Sequence, residues 1–280
     1  MSEEQTRPAW SEKFKPDVLR QLTAGGPLGQ ITPEWAWGGS TGKGVRVAVV
    51  DTGIEAEHPI FNGSVRGGVI IELDQSAAEG YVAHPDNPPT DSAGHGTACA
   101  GIIHTIAPDA ELFSVRVLGS NMRGRSITFA AGIEWAVNNG FDVINMSLST
   151  SSEDLLALFY QLADEAYFNN VLLVSAVNNI PAPSYPSTFA SVISVAAHEG
   201  SDPLTYYYNP KPPVEFGARG IDVHVAWMDK QYATNTGNSF AAPHITGVAA
   251  LIRAKHPDLT PFQLKTVLMA CAANVQRELE

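Results

Sequence analysis

The sequence lacks the features of several large protein classes. Among its 280 residues there are only two cysteines, Cys99 and Cys271, which excludes the multi-disulfide framework of small secreted proteins. Basic residues are scarce: 17 Lys and Arg stand against 29 Asp and Glu, a formal net charge of -12. That balance repels phosphate backbones and anionic membranes, and no basic cluster offsets it locally. We therefore expect neither nucleic acid nor membrane as a partner.

Long apolar runs are also missing. No stretch of the chain approaches transmembrane length, and residues 1–20 are polar and charged, without the apolar core of a signal peptide. This pattern predicts a cytoplasmic protein, although the mature fragment of a secreted protein would begin in the same way. The first 30 residues mix charge, Pro and Gly. They predict an N-terminal arm or a short propeptide-like segment ahead of one domain at residues 31–280.

The remaining chain has the composition and patterning of an α/β protein. Hydrophobic residues make up 44% and charged residues 16%, which permits a large buried core. Short, continuously apolar runs predict strands that are covered on both faces of a parallel sheet. These strands are Val45–Val50, Glu111–Val117, Val143–Ser147, Val171–Ala176, Val192–Ala196 and Ile221–Ala226. The predicted helices between and after them are Ser126–Asn139, Ser152–Phe168, Ser239–Lys255 and Pro261–Ala272. Such alternation predicts a doubly wound sheet with its site at the carboxyl ends of the strands.

Three polar residues lie at positions suited to nucleophilic catalysis. Asp51 directly follows the first predicted strand, His95 lies between glycines where a helix begins, and Ser239 lies at the start of another helix. Each has an ordinary alternative: a turn carboxylate, a structural histidine and an N-cap serine. A serine at a helix N-terminus, however, gains unpaired N–H groups and a positive dipole end that can hold an oxyanion.

The combination of these segments resembles the subtilase family. Asp-Thr-Gly at 51–53, His-Gly-Thr at 95–97 and Gly-Asn-Ser-Phe-Ala-Ala-Pro-His at 237–244 follow one another in the order that the family shows. The resemblance implies a subtilisin-like, doubly wound, mostly parallel sheet with helices on both faces, and a serine endopeptidase whose triad is Asp51, His95 and Ser239. It also implies that Asn179 is the oxyanion-hole donor, with the neighbouring Asn178 as the alternative.

The chain departs from the family pattern at several points. Asn238 stands where the family usually has threonine, and Cys99 follows His95 by one helical turn. That cysteine is either part of a Cys–His nucleophilic pair or a small buried thiol beneath the histidine, and we favour the second. The loop that binds calcium tightly in many subtilisins is missing after Ile106. We expect no required cofactor, while the many Asp and Glu residues leave room for weak structural calcium.

The resemblance also implies a groove that binds a protein or peptide substrate as an extended strand. We expect its walls to be formed by Met122, Arg123, Gly124, Ser147, Leu148, Ser149 and Asn178. Ser149 and Asn178 replace glycines of the first specificity pocket, which predicts a narrower or more polar pocket. Arg123 and Arg125 have two interpretations. Either they give the enzyme a preference for acidic residues upstream of the cleaved bond, or they are ordinary solvated arginines on a loop.

Two other functions fit the same fold. A peptide-binding pseudoprotease is disfavoured because the triad and the oxyanion asparagine are all present. A peptide-maturation acyl transferase or ligase would share the acyl-enzyme, but the chain has no insertion that would exclude water. The sequence leaves open whether a prosegment was removed, which substrate is natural and which oligomeric state is formed.

Overall fold

The computed structural model describes residues 30–275, which form a large sheet between two layers of helices. The predicted N-terminal segment, residues 1–30, lies outside the described residues except for its last residue. The described sheet has nine strands in the order β3-β2-β4-β1-β5-β6-β7-β9-β8. The strands are β1 Arg46–Asp51, β2 Val65–Leu73, β3 Tyr81–Pro85, β4 Glu111–Arg116, β5 Val143–Met146, β6 Leu172–Ala176, β7 Val192–His198, β8 Tyr207–Tyr208 and β9 Phe216–Arg219.

The interior of this sheet is parallel, as the continuous apolar runs predict. The seven inner strands are all parallel to one another; in sheet order they are β2, β4, β1, β5, β6, β7 and β9. The two edge strands of this sheet, β3 and β8, each pair antiparallel with their neighbour. Every residue of β5 and β6 is buried. Both faces of these central strands are therefore covered, which explains why the runs lack polar alternation.

Six helices supply the two covering layers of the described region. They are α1 Pro33–Trp37, α2 His95–Ile106, α3 Ser126–Asn138, α4 Leu156–Phe168, α5 Asn238–Lys255 and α6 Pro261–Cys271. Helices α2, α5 and α6 pack with α1 in the core cluster on one face of the sheet, while α3 and α4 belong to the cluster on the other face. The doubly wound architecture with helices on both faces is thereby confirmed.

Two predicted elements were wrong in part. The segment predicted as strand Ile221–Ala226 forms β10, Val223–Trp227, but it pairs antiparallel with β11, Gln231–Asn235, in a separate two-stranded sheet. Its apolar residues are buried in the core cluster that contains α2, so their burial reflects packing against a helix. The helix predicted from Ser152 begins four residues later, because the Ser152 hydroxyl bonds the Asp154 carboxylate at 3.0 Å in a turn that competes with the helix.

The strand order determines where a site can form. The chain passes from β1 to β2 and β3 at one end of the sheet, returns through α2 to β4 beside β1, and then crosses through α3 to β5 and through α4 to β6 on the other side of β1. The carboxyl ends of β4, β1, β5 and β6 therefore open on one edge of the sheet at the point where the winding reverses. Side chains that follow these four strands meet there.

Candidate active site

Asp51 is held rigidly at the carboxyl end of a central strand. It is the last residue of β1, which pairs on one side with β4 and on the other with β5, and it is completely buried. The Thr52 N–H donates to Asp51 Oδ1 at 2.7 Å. The backbone and one carboxylate oxygen are thus fixed, so the carboxylate presents a defined face to its neighbour.

That neighbour is His95, the first residue of α2. Its Nδ1 lies 2.8 Å from Asp51 Oδ1 and 3.0 Å from Oδ2. The approach depends on Gly96, because a Cβ there would collide with the Gly53 carbonyl oxygen and lie 3.1 Å from the Asp51 Cβ. The flanking glycine in the sequence motif is therefore a steric requirement of the Asp51–His95 pair.

A second carboxylate, from Asp91, organises the turn before α2. Its Oδ1 accepts from the Thr52 hydroxyl at 2.7 Å and from the Gly94 N–H at 2.9 Å. Its Oδ2 accepts from the Thr97 N–H at 2.8 Å. Asp91 therefore ties the turn after Asp51 to the first turn of the histidine helix. Sequence reasoning did not single it out, although an acid just before a helix start is a known capping signal.

The Asp51 carboxylate controls the charge of His95. Burial of the imidazole opposes its protonation, but the adjacent Asp51 carboxylate, helped by the Cys99 sulfur, outweighs burial and raises the His95 pKa well above its usual value of 6.5. Since Nδ1 faces Asp51, Nε2 is the nitrogen available to a nucleophile. Within residues 30–275 no hydrogen bond joins His95 Nε2 to a serine hydroxyl, and bonds between a base and a nucleophile often tighten only when substrate binds.

Ser239 lies in the first turn of α5 and lines the same cleft as His95. Pro243, four residues later, has no N–H to bond the Ser239 carbonyl. Two side chains from other elements take that place: the Ser147 hydroxyl donates to the Ser239 carbonyl at 2.8 Å and the Cys99 thiol at 3.6 Å. Helix α5 is thus anchored to α2 and to the residue that follows β5 through the backbone of Ser239 itself.

The position of Cys99 supports the interpretation of a buried thiol. It is completely buried, its Sγ lies 3.9 Å from His95 Nδ1, and burial raises its thiol pKa. Residues 30–275 contain one group of three or more His, Cys, Asp or Glu side chains whose potential metal-ligand atoms all lie within 4.8 Å of one another. Its members are Asp51, His95 and Cys99. The hydrogen bonds of the Asp51–His95 pair account for that closeness.

The loop after β6 supplies the two candidate asparagines. Asn179 Oδ1 accepts from the Asn238 N–H at 2.9 Å, and Asn179 lines the cleft beside Ser239. Asn178 also lines this cleft, but both of its donors are used elsewhere: its N–H donates to the Ser184 hydroxyl at 2.9 Å and its Nδ2 to the Pro183 carbonyl at 2.8 Å. The amide of Asn179 is therefore the one oriented by the start of α5.

All of the residues predicted to bind substrate line two adjoining clefts. The catalytic cleft, about 200 Å³, is lined by His95, Leu118, Met122, Ser147, Leu148, Ser149, Ala176, Val177, Asn178, Asn179 and Ser239. The neighbouring cleft, about 310 Å³, is lined by Leu118, Met122, Arg123, Gly124, Arg125, Ser126, Phe129, Leu148, Ser149 and Thr150. Leu118, Ala176 and Val177 were missed by sequence analysis, although each lies at or just beyond the carboxyl end of a strand.

Comparison with known proteins places this geometry in context. The model of the subtilase family matches residues 42–279. The chain is 35% identical over 249 residues to subtilisin BL of Lederbergia lenta, a match that covers 85% of this chain and 86% of that protein. It is 35% identical over 239 residues to the thermostable alkaline protease of Halalkalibacterium halodurans, which covers 81% of this chain and 62% of the relative.

Solved structures of other proteins show the same fold. A cold-adapted subtilisin-like serine proteinase superposes with a TM-score of 0.68 at 28% identity, covering 84% of this chain and 86% of the other. Sphericase superposes with a TM-score of 0.67 at 28% identity, covering 85% and 87%. Separately, none of the helices within residues 30–275 combines the length and apolar character needed to cross a bilayer.

Proposed function

The chain belongs to the subtilase family and is a serine endopeptidase, and we propose that Asp51, His95 and Ser239 form its catalytic triad with Asn179 as the oxyanion donor. The observation that carries this assignment is the buried contact of His95 Nδ1 with Asp51 at 2.8 Å, with Ser239 on the wall of the same cleft. In this arrangement one nitrogen of the imidazole is bonded to a carboxylate and the other is free to serve a nucleophile.

The chemistry follows from these positions. Ser239 Oγ attacks the carbonyl carbon of the scissile peptide bond while His95 Nε2 takes the hydroxyl proton. Asp51 stabilises the imidazolium that forms and keeps Nδ1 protonated. The same proton then passes to the leaving amine, the peptide C–N bond breaks, and an acyl-enzyme remains on Ser239. In the second half of the reaction, water attacks the acyl carbon while His95 Nε2 takes a proton from the water. The ester bond to Ser239 then breaks, the proton passes to Ser239 Oγ, and the carboxylic acid product leaves.

The negative charge on the tetrahedral intermediate has two donors at hand. Asn179 Oδ1 is held by the Asn238 N–H, which leaves the Nδ2 donor for the cleft. At the start of α5, the Asn238 N–H donates to Asn179 Oδ1 and the Phe240 N–H donates to the Gly237 carbonyl. The Ser239 N–H lies between these two groups in the chain. We assign the oxyanion to Asn179 Nδ2 and the Ser239 N–H, donors of the kind that favour the transition state over the substrate.

The two clefts support binding of a protein or peptide substrate as an extended strand. The catalytic cleft would receive the side chain next to the cut, and the neighbouring cleft a residue further upstream. Ser147, Ser149 and Asn178 give the catalytic cleft polar walls in a space of about 200 Å³. We therefore assign it a preference for small or polar side chains. Asn178→Gly should raise kcat/KM for a substrate with an aromatic residue at that position relative to one with alanine.

Arg123 and Arg125 line the neighbouring cleft and are exposed. If they recognise substrate, acidic residues placed there should be cleaved faster than their amides, and Arg125→Ala should remove the difference. Equal rates for the acid and the amide would identify both as ordinary solvated arginines.

Neither the pseudoprotease nor the ligase is favoured by the relatives, which are named as subtilisins and alkaline proteases. A fluorophosphonate probe tests the assignment of the nucleophile. The label should be found on Ser239 by peptide mass spectrometry, and Ser239→Ala should abolish it. Absence of label on the folded wild-type protein would contradict the proposal, provided that removal of residues 1–30 leaves the result unchanged.

Subtilases need no cofactor for this chemistry, and calcium in the family is structural. In this chain α2 ends at Ile106 and β4 begins at Glu111, so four residues connect the two elements. That short connection supports the view that the usual tight calcium loop is missing.

A further inference from the structure

Asn238, immediately before the nucleophile, connects three separate segments of the active site. Its side-chain Oδ1 accepts from the Ala197 N–H, near the end of β7, at 2.8 Å. Its Nδ2 donates to the carbonyl oxygens of Val177 and Asn178 at 3.2 and 3.0 Å. Its backbone N–H donates to Asn179 Oδ1 at 2.9 Å. One residue thus joins the start of α5 to β7 and to the whole loop 177–179.

The side chain at this position must be an amide to make these contacts. A carboxamide carries an acceptor on one side and two donor hydrogens on the other, and Asn238 uses all of them. A hydroxyl, such as that of the threonine usual in the family pattern, has a single hydrogen and cannot donate to two carbonyls at once. The departure from that pattern is therefore accompanied by a set of bonds that threonine could not form.

The loop that Asn238 holds needs such support. Asn179 and the following Ile180 are exposed, so packing does not fix the Asn179 side chain. An oxyanion donor is effective only if it is already aimed before the charge develops, and a displacement of about 1 Å can cost about 10²-fold in rate. Hydrogen bonds from Asn238 to the backbone on the N-terminal side of Asn179, and to its Oδ1, supply the restraint that packing does not.

We propose that Asn238 is a positioning residue: its side chain clamps loop 177–179 between α5 and β7 and so fixes the Asn179 amide for oxyanion binding. This inference rests on the proposed function, in which Asn179 is the oxyanion donor. Asn238 is not among the residues that line either cleft. It acts on the rate only through Asn179.

The test is a double-mutant cycle on kcat and KM with a peptide amide substrate. Asn238→Asp keeps the acceptor for the Ala197 N–H but places a carboxylate oxygen against two carbonyls, and Asn238→Ala removes the clamp without adding charge. Each should lower kcat by about 10²-fold with KM little changed, because only transition-state binding is lost. Asn179→Ala should lower kcat by about 10²–10³-fold. In the Asn179→Ala background, the Asn238 substitutions should lower kcat by less than about threefold, because the group they position is gone.

Arg123→Ala, in the neighbouring cleft, is the control for this cycle, and its effect should multiply unchanged with that of Asn238→Ala. Near-UV circular dichroism checks that each variant is folded; if Asn238→Ala is not, Asn238→Asp alone completes the cycle. Full multiplication of the Asn238 and Asn179 effects, or a loss that falls on KM, would overturn the inference and leave the proposed function intact. Unchanged kcat in Asn179→Ala would instead overturn the oxyanion assignment itself.

Discussion

Replacing Ser147 by alanine should destabilise the protein at the start of α5, the helix that carries Ser239. The Ser147 hydroxyl donates to the Ser239 carbonyl at 2.8 Å and accepts from Asn145 Nδ2 at 3.0 Å. Asn145 is completely buried. Because Pro243 has no N–H, α5 cannot supply the missing donor, and the Cys99 thiol at 3.6 Å is the weak partner that remains. The substitution therefore leaves two groups poorly satisfied.

A buried polar group without a partner costs about 1–3 kcal/mol. Ser147→Ala affects two such groups, Asn145 Nδ2 and the Ser239 carbonyl, and the second keeps the Cys99 thiol as a partner. We therefore expect a loss of about 3 kcal/mol in the free energy of unfolding. For a domain of this size that corresponds to a fall in Tm of about 6–12 °C. Urea unfolding followed by circular dichroism measures the loss. The measurement is best made in a Ser239→Ala background, which removes only the hydroxyl and prevents self-digestion.

Two further variants make the result decisive. Ser149→Ala changes the same kind of residue two positions away, and it should alter the free energy of unfolding by less than about 0.5 kcal/mol. In a Pro243→Ala background, the new N–H can bond the Ser239 carbonyl, so Ser147→Ala should cost only the share of Asn145, about 1–2 kcal/mol. An equal cost of Ser147→Ala with and without Pro243 would refute the reasoning.

Three other predictions follow from the site. Asp51→Asn should lower kcat by about 10⁴-fold. The Asp51 carboxylate raises the pKa of His95 above 6.5, and only the neutral imidazole accepts a proton. Wild-type activity should therefore be lost as the pH falls through a value above 6.5, and the acid limb of the pH–rate profile of Asp51→Asn should lie at lower pH. An acid limb at the same pH in both proteins would contradict this. Gly96→Ala should lower kcat far more than Gly101→Ala, because its Cβ collides with the Gly53 carbonyl whereas that at Gly101 lies 3.3 Å from the nearest atom. Chelation of calcium should leave Tm unchanged, and a large fall would reveal a structural calcium site.

Helix and strand identity along the central sheet could be predicted because it depends on local pattern. The strands β1, β4, β5, β6 and β7 were all predicted within two residues at each end. Continuous burial on both faces leaves an apolar run that no surface segment would have. Five other strands, β2, β3, β8, β9 and β11, were missed, because none of them is a continuously buried run. For example, β2, Val65–Leu73, is only partly buried, and β9, Phe216–Arg219, alternates between buried and half-buried residues.

The sequence by itself determined the family resemblance, the sheet's interior and the candidate triad, because each is carried by residues close together in a motif or a run. The tertiary structure alone brought Asp91 to the turn after Asp51, Ser147 to the Ser239 carbonyl and Asn238 to loop 177–179. Those contacts join residues 39, 92 and 60 positions apart. No local pattern encodes a hydrogen bond across such distances, since the partner is chosen by which strands become neighbours and where their carboxyl ends meet.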